Sequence, residues 1–338
     1  MKKIYIIILA CLVYCGSCIA QQLPHYTQYV LNNYVLNPAV TGIENYIDLK
    51  TSVRDQWVGL DGAPRTAYLT MHGPIGKKDY KTSATSFEME GENPRGKAYW
   101  ENYTASSPHH GIGITMMNDR TGNFNRVTMN ASYAYHMGLS SRTNLSAGFG
   151  AGFTSVSRAH DRSFYGDDMT QDPAETNADI IGFKPDLSAG VWLYSANYFA
   201  GVSMQQIIPA KRKVKSELGD NNAKLLPHIF ITTGYRFFVS EDVFALPSIM
   251  VKHVSATTQF DLNVKLQYRA VTWIGASYRN GEGYAAMAGV NISHKLNIGY
   301  SYDYTTSALN TASRGTHEIM VGFLIGNKFG DWCPRNVW

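Results

Sequence analysis

The residues able to do chemistry are spread along this 338-residue chain without converging on a reactive set. His109 and His110 are adjacent, and neighbours on a strand point to opposite faces, so the two imidazoles cannot readily share one metal ion. Gly148, Gly150 and Gly152 resemble a phosphate-binding loop only superficially, because that motif must close a strand and open a helix. Here they fall at period two inside a strand, where they strip one wall of side chains and make room for a plug or for strong curvature. Serines and histidines are scattered, and no nucleophile, base and oxyanion set can be assembled from them. The expectation is a non-enzymatic protein with no catalytic residue, cofactor or metal.

The charged residues fall into three groups. Lys211, Arg212, Lys213 and Lys215 form a basic run in the connection 207–227, which offers anionic lipopolysaccharide a simple charge attraction, although a solvated loop is the favoured reading. Asp167, Asp168, Asp172, Glu175 and Asp179 make the connection 158–185 acidic but lack the ligand spacing of a calcium loop. Asp48, Lys50, Arg54, Arg126, Asp261, Lys265 and Glu318 alternate with apolar residues. They either line a conducting pore or pair across a filled lumen, and the filled lumen is the expected arrangement.

The elements that must position these charges are strands. In 126–137, Val127, Met129, Ala131, Tyr133, Tyr135 and Met137 fall on one face, and Arg126, Thr128, Asn130, Ser132 and His136 on the other. Side chains of a strand repeat with period two, so the run has one oily wall and one wet wall. The same design recurs with Phe260, Leu262, Val264, Leu266 and Tyr268 against Asp261, Asn263, Lys265 and Gln267, and again over 295–304. Candidate strands are 46–57, 65–73, 110–118, 126–137, 143–157, 186–194, 198–205, 228–238, 243–253, 260–268, 271–278, 285–292, 295–304 and 317–326. That is about fourteen, the even number that bacterial single-chain barrels show, at lengths near the roughly 9–11 residues that cross a bilayer at a tilt.

Composition agrees. After the N-terminal segment no apolar run approaches the roughly 18 residues of a spanning helix, so any membrane crossing is by strands. The aromatic and glycine content (Tyr 22, Phe 14, Trp 6, Gly 30) suits a barrel with aromatic girdles at both interfaces. A net charge of +4 gives no argument for nucleic acid, whose binders concentrate basic faces.

Lys2 and Lys3, the apolar stretch 4–13 and Cys18-Ile19-Ala20 make a Sec-type signal peptide with cleavage expected after Ala20. Three of the four cysteines leave with it, and Cys333 alone supports neither an internal disulfide nor a cysteine metal site. The expected organisation is a signal at 1–20, a periplasmic or plug segment at 21–45, an outer-membrane barrel at 46–326 and a tail at 327–338. A short helix is expected over 23–37, between Pro24 and Pro38. Turn lengths orient the barrel, since periplasmic turns are short and extracellular loops longer. The turns near 140, 196, 240, 269 and 293 are brief and the connections 158–185, 207–227 and 305–316 are long. Only 74–109 is long on the side of the short turns, as an insertion there or a hairpin missed in the count.

Gln22-Leu23-Pro24-His25-Tyr26-Thr27-Gln28-Tyr29, with Asn32, Asn37-Pro38-Ala39 and Gly42, resembles the PorP/SprF family of type IX secretion outer-membrane proteins. Arg54-Asp55-Gln56-Trp57-Val58-Gly59 and Gly62-Ala63-Pro64 with Thr66 are similar to the family's signature hairpin. Asn118-Asp119-Arg120-Thr121-Gly122, Tyr133-Ala134-Tyr135, His317-Glu318 and Cys333-Pro334 extend the likeness to the far end. The resemblance implies a barrel that helps export or anchor cell-surface proteins in secreting or gliding bacteria. Its implied partners are a secreted surface protein or adhesin with a C-terminal export domain, and periplasmic type IX secretion components. Outer-membrane lipid and lipopolysaccharide surround it. The residues expected to meet partners are Gln22, Pro24, Tyr26, Gln28, Tyr29, Asn32, Asn37 and Pro38 on the inner side, and Gln56, Trp57 and Pro64 at the outer mouth. The alternative from another class is a channel or porin for small solutes.

Overall fold

From residue 47 onward nearly every segment alternates apolar and polar side chains, and a pleated backbone sorts these onto opposite walls. The computed structural model describes residues 26–77, 104–158, 180–208, 211–214, 221–224 and 226–326, apart from 256, 270, 294 and 312. The signal segment, Gln22, Pro24, Lys215, the acidic run 167–179 and the tail with Cys333 lie outside them.

Among the described residues the strands are β1 (Ile47–Asp55), β2 (Arg65–Ile75), β3 (His109–Thr121), β4 (Phe124–Gly138), β5 (Thr143–Arg158) and β6 (Ile180–Ser195). They continue with β7 (Tyr198–Gln205), β8 (Lys211–Val214), β9 (Asn221–Lys224), β10 (His228–Tyr235), β11 (Phe237–Phe238) and β12 (Val243–Val254). The last are β13 (Thr257–Tyr268), β14 (Thr272–Arg279), β15 (Gly283–Ser293), β16 (Leu296–Thr305) and β17 (Thr316–Ile325). Strands β1 to β7 pair in order, β7 pairs with β10, β10 with β12, and β12 to β17 follow in order until β17 returns to β1. β11 continues β10 beyond Arg236 and pairs with the same neighbour, β12. The wall is therefore a closed antiparallel barrel of fourteen strands. Closure leaves no free edge in lipid and satisfies the backbone from strand to strand.

The two walls divide as the alternation requires. Phe260, Leu262, Val264, Leu266 and Tyr268 are 36–48% exposed, whereas Asp261, Asn263, Lys265 and Gln267 are 1–5% exposed. His109 is buried and His110 exposed, on opposite faces as neighbours must be. The expected bounds of β7 coincide with the observed ones, but β3 to β6 are longer than expected, and β6 starts at Ile180 instead of 186. There the outward positions change to Asn118, Arg120, Ser155 and Ser157, so the polarity contrast fades while the pairing continues. The connection 207–227, expected as plain loop, contains the β8–β9 hairpin.

The chain enters and leaves the wall at one mouth, where Ile47 pairs with Ile325. The brief turns 139–142, 196–197, 239–242, 269–271 and 294–295 share this terminus-side mouth, and β1, β5, β7 and β16 end at the opposite, loop-side mouth, where the connections 56–64 and 306–315 begin. The rule for such barrels places the terminus side in the periplasm. No hairpin of the wall is missing between β2 and β3, because these strands pair directly from Arg65↔Arg120 to Ile75↔His110.

Candidate functional site

Residues 26–46 run inside the barrel as a plug. In place of one short helix there are three 3₁₀ turns, Thr27–Leu31, Asn33–Val35 and Pro38–Val40. The cause is competition for backbone groups. Ser203 Oγ and Gln205 Nε2 donate to the Leu36 carbonyl (2.6 and 3.0 Å), Ser146 Oγ donates to the Ala39 carbonyl (2.7 Å), and Pro38 has no N–H to offer. Barrel side chains thus replace helical hydrogen bonds, which keeps the buried backbone satisfied.

The plug descends from the loop-side mouth to the terminus side. At its top, the Thr27 N–H donates to Glu318 Oε2 (2.9 Å) and the Thr27 hydroxyl donates to Asp303 Oδ2 (2.6 Å). That hydroxyl oxygen also accepts from Arg54 Nη1 (2.9 Å) and Arg279 Nη2 (3.4 Å), so its one proton and two lone pairs are all used. Arg54 continues to Glu318 (3.1 Å) and Asp303 (2.6 Å), and Arg279 to Asp261 (3.1 Å) and Glu282 (3.0 Å). Arg54, Asp261 and Glu318 thus pair inside a filled lumen, with partners on neighbouring strands of the wall, and lower down Asp48 pairs with Lys50 (2.5 Å) along β1 itself.

Two apolar clusters hold the middle. Tyr26, Tyr29, Val30, Val35 and Leu36 pack on Tyr68, Phe230 and Met250, and Tyr34, Ala39, Val40 and Ile43 pack on Trp192, Tyr194, Phe199 and Leu246. Each such large side chain contributes roughly 1.5–3 kcal/mol. At the base the Gly42 N–H donates to His72 Nδ1 (3.1 Å), and His136 Nε2 donates to the Thr41 carbonyl (2.8 Å) while its ring stacks on His109 at 4.5 Å. Gly42 has φ +76° and lies so close to Gly111 that neither position has room for a Cβ.

Glycine spacing makes this fit possible. A Cβ on Gly148 would overlap Pro38 and Ala39, and one on Gly190 would meet the Asn37 amide. Gly113 leaves space for Tyr34 and Gly299 for Gln28. Gly150 and Gly152, in contrast, face Ser188 and Asn130 of neighbouring strands. Gly148→Leu is expected to fold as a barrel but to expel the plug, since overpacking of this kind costs about 1–3 kcal/mol or more. Protease cleavage within residues 26–46, absent from the parent protein, checks this.

Above Thr27 a cavity of about 370 Å³ opens at the loop-side mouth. Its lining includes Gln56, Trp57 and Pro64, together with Arg54, Asp119, Arg279, Glu282 and Asp303. The Gln56 N–H donates to the Pro64 carbonyl (2.9 Å). Trp57 sits at φ +48°, held by its N–H to Thr316 Oγ1 (3.1 Å).

The three outer residues expected from sequence are therefore brought together in one vestibule. Of the inner set, Tyr26, Gln28, Tyr29, Asn32, Asn37 and Pro38 are all buried. Tyr26 donates to Met117 Sδ (2.7 Å), Gln28 Nε2 to the Glu318 carbonyl (3.0 Å), and Tyr29 OH accepts from Asn263 (2.6 Å). Asn32 donates to Thr70 (3.0 Å), and Asn37 to the carbonyls of Val191 and Val202 (3.1 and 3.3 Å). These side chains meet the barrel's inner wall. Sequence reasoning missed Thr27, Arg279, Glu282 and Asp119 as members of the site, and the pairing histidines His72 and His136. Arg279 was within reach, because it follows Tyr278 onto the wet wall of β14.

An apolar outer wall, brief turns at one mouth, long connections at the other and a lumen filled by the chain's own N-terminal segment define a plugged outer-membrane β-barrel. Residues 18–323 match the family model described as type IX secretion system membrane protein PorP/SprF. The chain belongs to the PorP/SprF family. No curated protein matches the sequence. Among solved structures it is similar to the Acinetobacter baumannii outer membrane protein Omp33 (TM-score 0.45, 10% identity, 84% of this chain and 100% of that one). It is also similar to the Ralstonia pickettii toluene transporter TbuX (0.45, 10%, 87% and 92%) and to the CymD monoaromatic hydrocarbon channel (0.45, 10%, 90% and 94%).

Proposed function

We propose that this barrel acts by binding, not catalysis, fixing an exported surface protein at the outer mouth and linking it to the periplasmic part of the type IX secretion machinery. The observation that carries this reading is the lumen, filled by residues 26–46 beneath an open vestibule. A channel for small solutes needs a clear axis, and the plug occupies it. An anchor needs a rigid body with a recognition surface, and a closed sheet locked to its own core supplies one. Gln56, Trp57 and Pro64 form the outer contact. The terminus-side turns face the machinery below. The buried plug residues tie the two ends together.

Affinity purification of the tagged chain from detergent-extracted outer membranes tests the proposal. It is expected to recover at least one periplasmic secretion component and a large surface protein. Recovery of neither overturns it.

A further inference from the structure

The anchoring reading leaves open what chemical group the vestibule takes. Its two guanidiniums are buried, 3% and 6% exposed, and their ion pairs and plug contacts commit them to the network around Thr27. Among the lining residues the charged side chains a guest can reach are the carboxylates of Asp119 and Glu282, which are only half-buried. Asp119 accepts the Thr66 hydroxyl (2.7 Å) and stands across the register from Arg126. Glu282 receives Arg279 and Gln259 (3.0 and 2.8 Å). Among the residues that line the vestibule the carboxylates are Asp119, Glu282 and Asp303, against the cations Arg54 and Arg279, so anions are in excess. Beside them, Trp57 and Pro64 present an apolar side, with the Trp57 turn pinned by Val58 N–H to the Gly315 carbonyl and Arg314 N–H to the Val58 carbonyl (2.9 and 2.8 Å). Thr121, Ser277, Ser307 and Thr316 add hydroxyl-bearing side chains to the lining.

We propose that the vestibule binds a lysine or arginine side chain carried on an extended segment of the exported partner. The inference rests on the anchoring reading. A slender cationic side chain lays its stem along Trp57 and Pro64 and brings its head to Asp119 and Glu282, combining burial of the stem, cation–π attraction and charge-assisted hydrogen bonds. The volume is at the small end of ligand pockets, right for one long side chain with its adjoining backbone and too small for a folded domain.

The test uses the full barrel purified in detergent at low salt. The probe is the peptide acetyl-Gly-Lys-Gly-amide, with acetyl-Gly-Glu-Gly-amide as its counterpart, and the Trp57→Phe variant as the fluorescence blank. The lysine peptide is expected to give a saturable change in Trp57 emission that weakens with added salt, and the glutamate peptide none. In D119N/E282Q the affinity is expected to fall at least roughly tenfold, with the heat-modifiable gel shift of a folded barrel retained. Equal binding of both peptides, undiminished binding by the double variant, or no saturable change overturns the inference. If the lysine peptide fails while the tagged barrel still recovers its surface protein, only this inference falls. If the peptide binds but neither a surface protein nor a secretion component is recovered, the anchoring reading falls instead.

Discussion

Replacing residues 26–43 by a short glycine-serine linker is expected to turn a silent barrel into a conducting one in planar bilayers. Those residues supply the apolar filling of both lumenal clusters and the backbone groups that Ser146, Ser203, Gln205 and Glu318 bind. Without them, the space that the glycines at 111, 148, 190 and 299 leave to the plug is emptied. Eight strands leave an interior that side chains can fill, whereas sixteen to eighteen leave an aqueous channel, and fourteen strands with a glycine-relieved wall fall on the open side. The change is all or none, from a flat baseline to discrete current steps, with a heat-modifiable gel shift as proof that the barrel has formed. A folded barrel that stays silent means that the inward side chains alone close the lumen.

Arg54→Met is expected to be the most damaging single substitution in the lock. It leaves Glu318, fully buried, without its guanidinium, and leaves Asp303 with only the more distant Arg279 at 3.8 Å. Removing one partner of a buried ion pair costs about 3–5 kcal/mol, much of it from the stranded charge. Glu318→Gln added to Arg54→Met is therefore expected to restore a good part of that loss, since one stranded carboxylate is gone. Arg54→Lys should fall between, keeping the charge but not the fork that reaches Thr27, Glu318 and Asp303 together. Denaturant unfolding in vesicles of the two single variants and the double variant checks the order. A double variant less stable than Arg54→Met contradicts it.

Much of the wall was legible in the sequence because lipid outside and a polar interior force the same period-two contrast on each strand. β13 reads directly, from Phe260 outward to Asp261 inward. Legibility fails where that contrast is absent. β6 begins early through Phe183, Lys184 and Pro185, where the proline argues against a strand although Phe183 still faces outward. The plug resisted prediction for a different reason. Its turns are set by what the barrel offers to its carbonyls, so a local reading of 23–37 gave a helix that the lumen does not permit. Inward charges were recognisable as inward, but Arg54 and Glu318 lie far apart in sequence, and only closure makes them register partners. The vestibule was half visible. Gln56, Trp57 and Pro64 sit on one hairpin, whereas Asp119, Arg279 with Glu282, and Asp303 reach it from three other places in the chain.

The seam between β1 and β17 joins the first and last strands of the cylinder, and Arg54 and Glu318 face each other across it. The same two residues grip Thr27. A ring finished before its leading peptide was in place would need that peptide to be threaded lengthwise past two packed clusters. Wrapping the strands around the peptide avoids this, with the final zipping step clamping it at the top. The N-terminal stretch then serves as the mandrel on which the hoop is wound, and a chain that loses it early loses its template as well as its stopper.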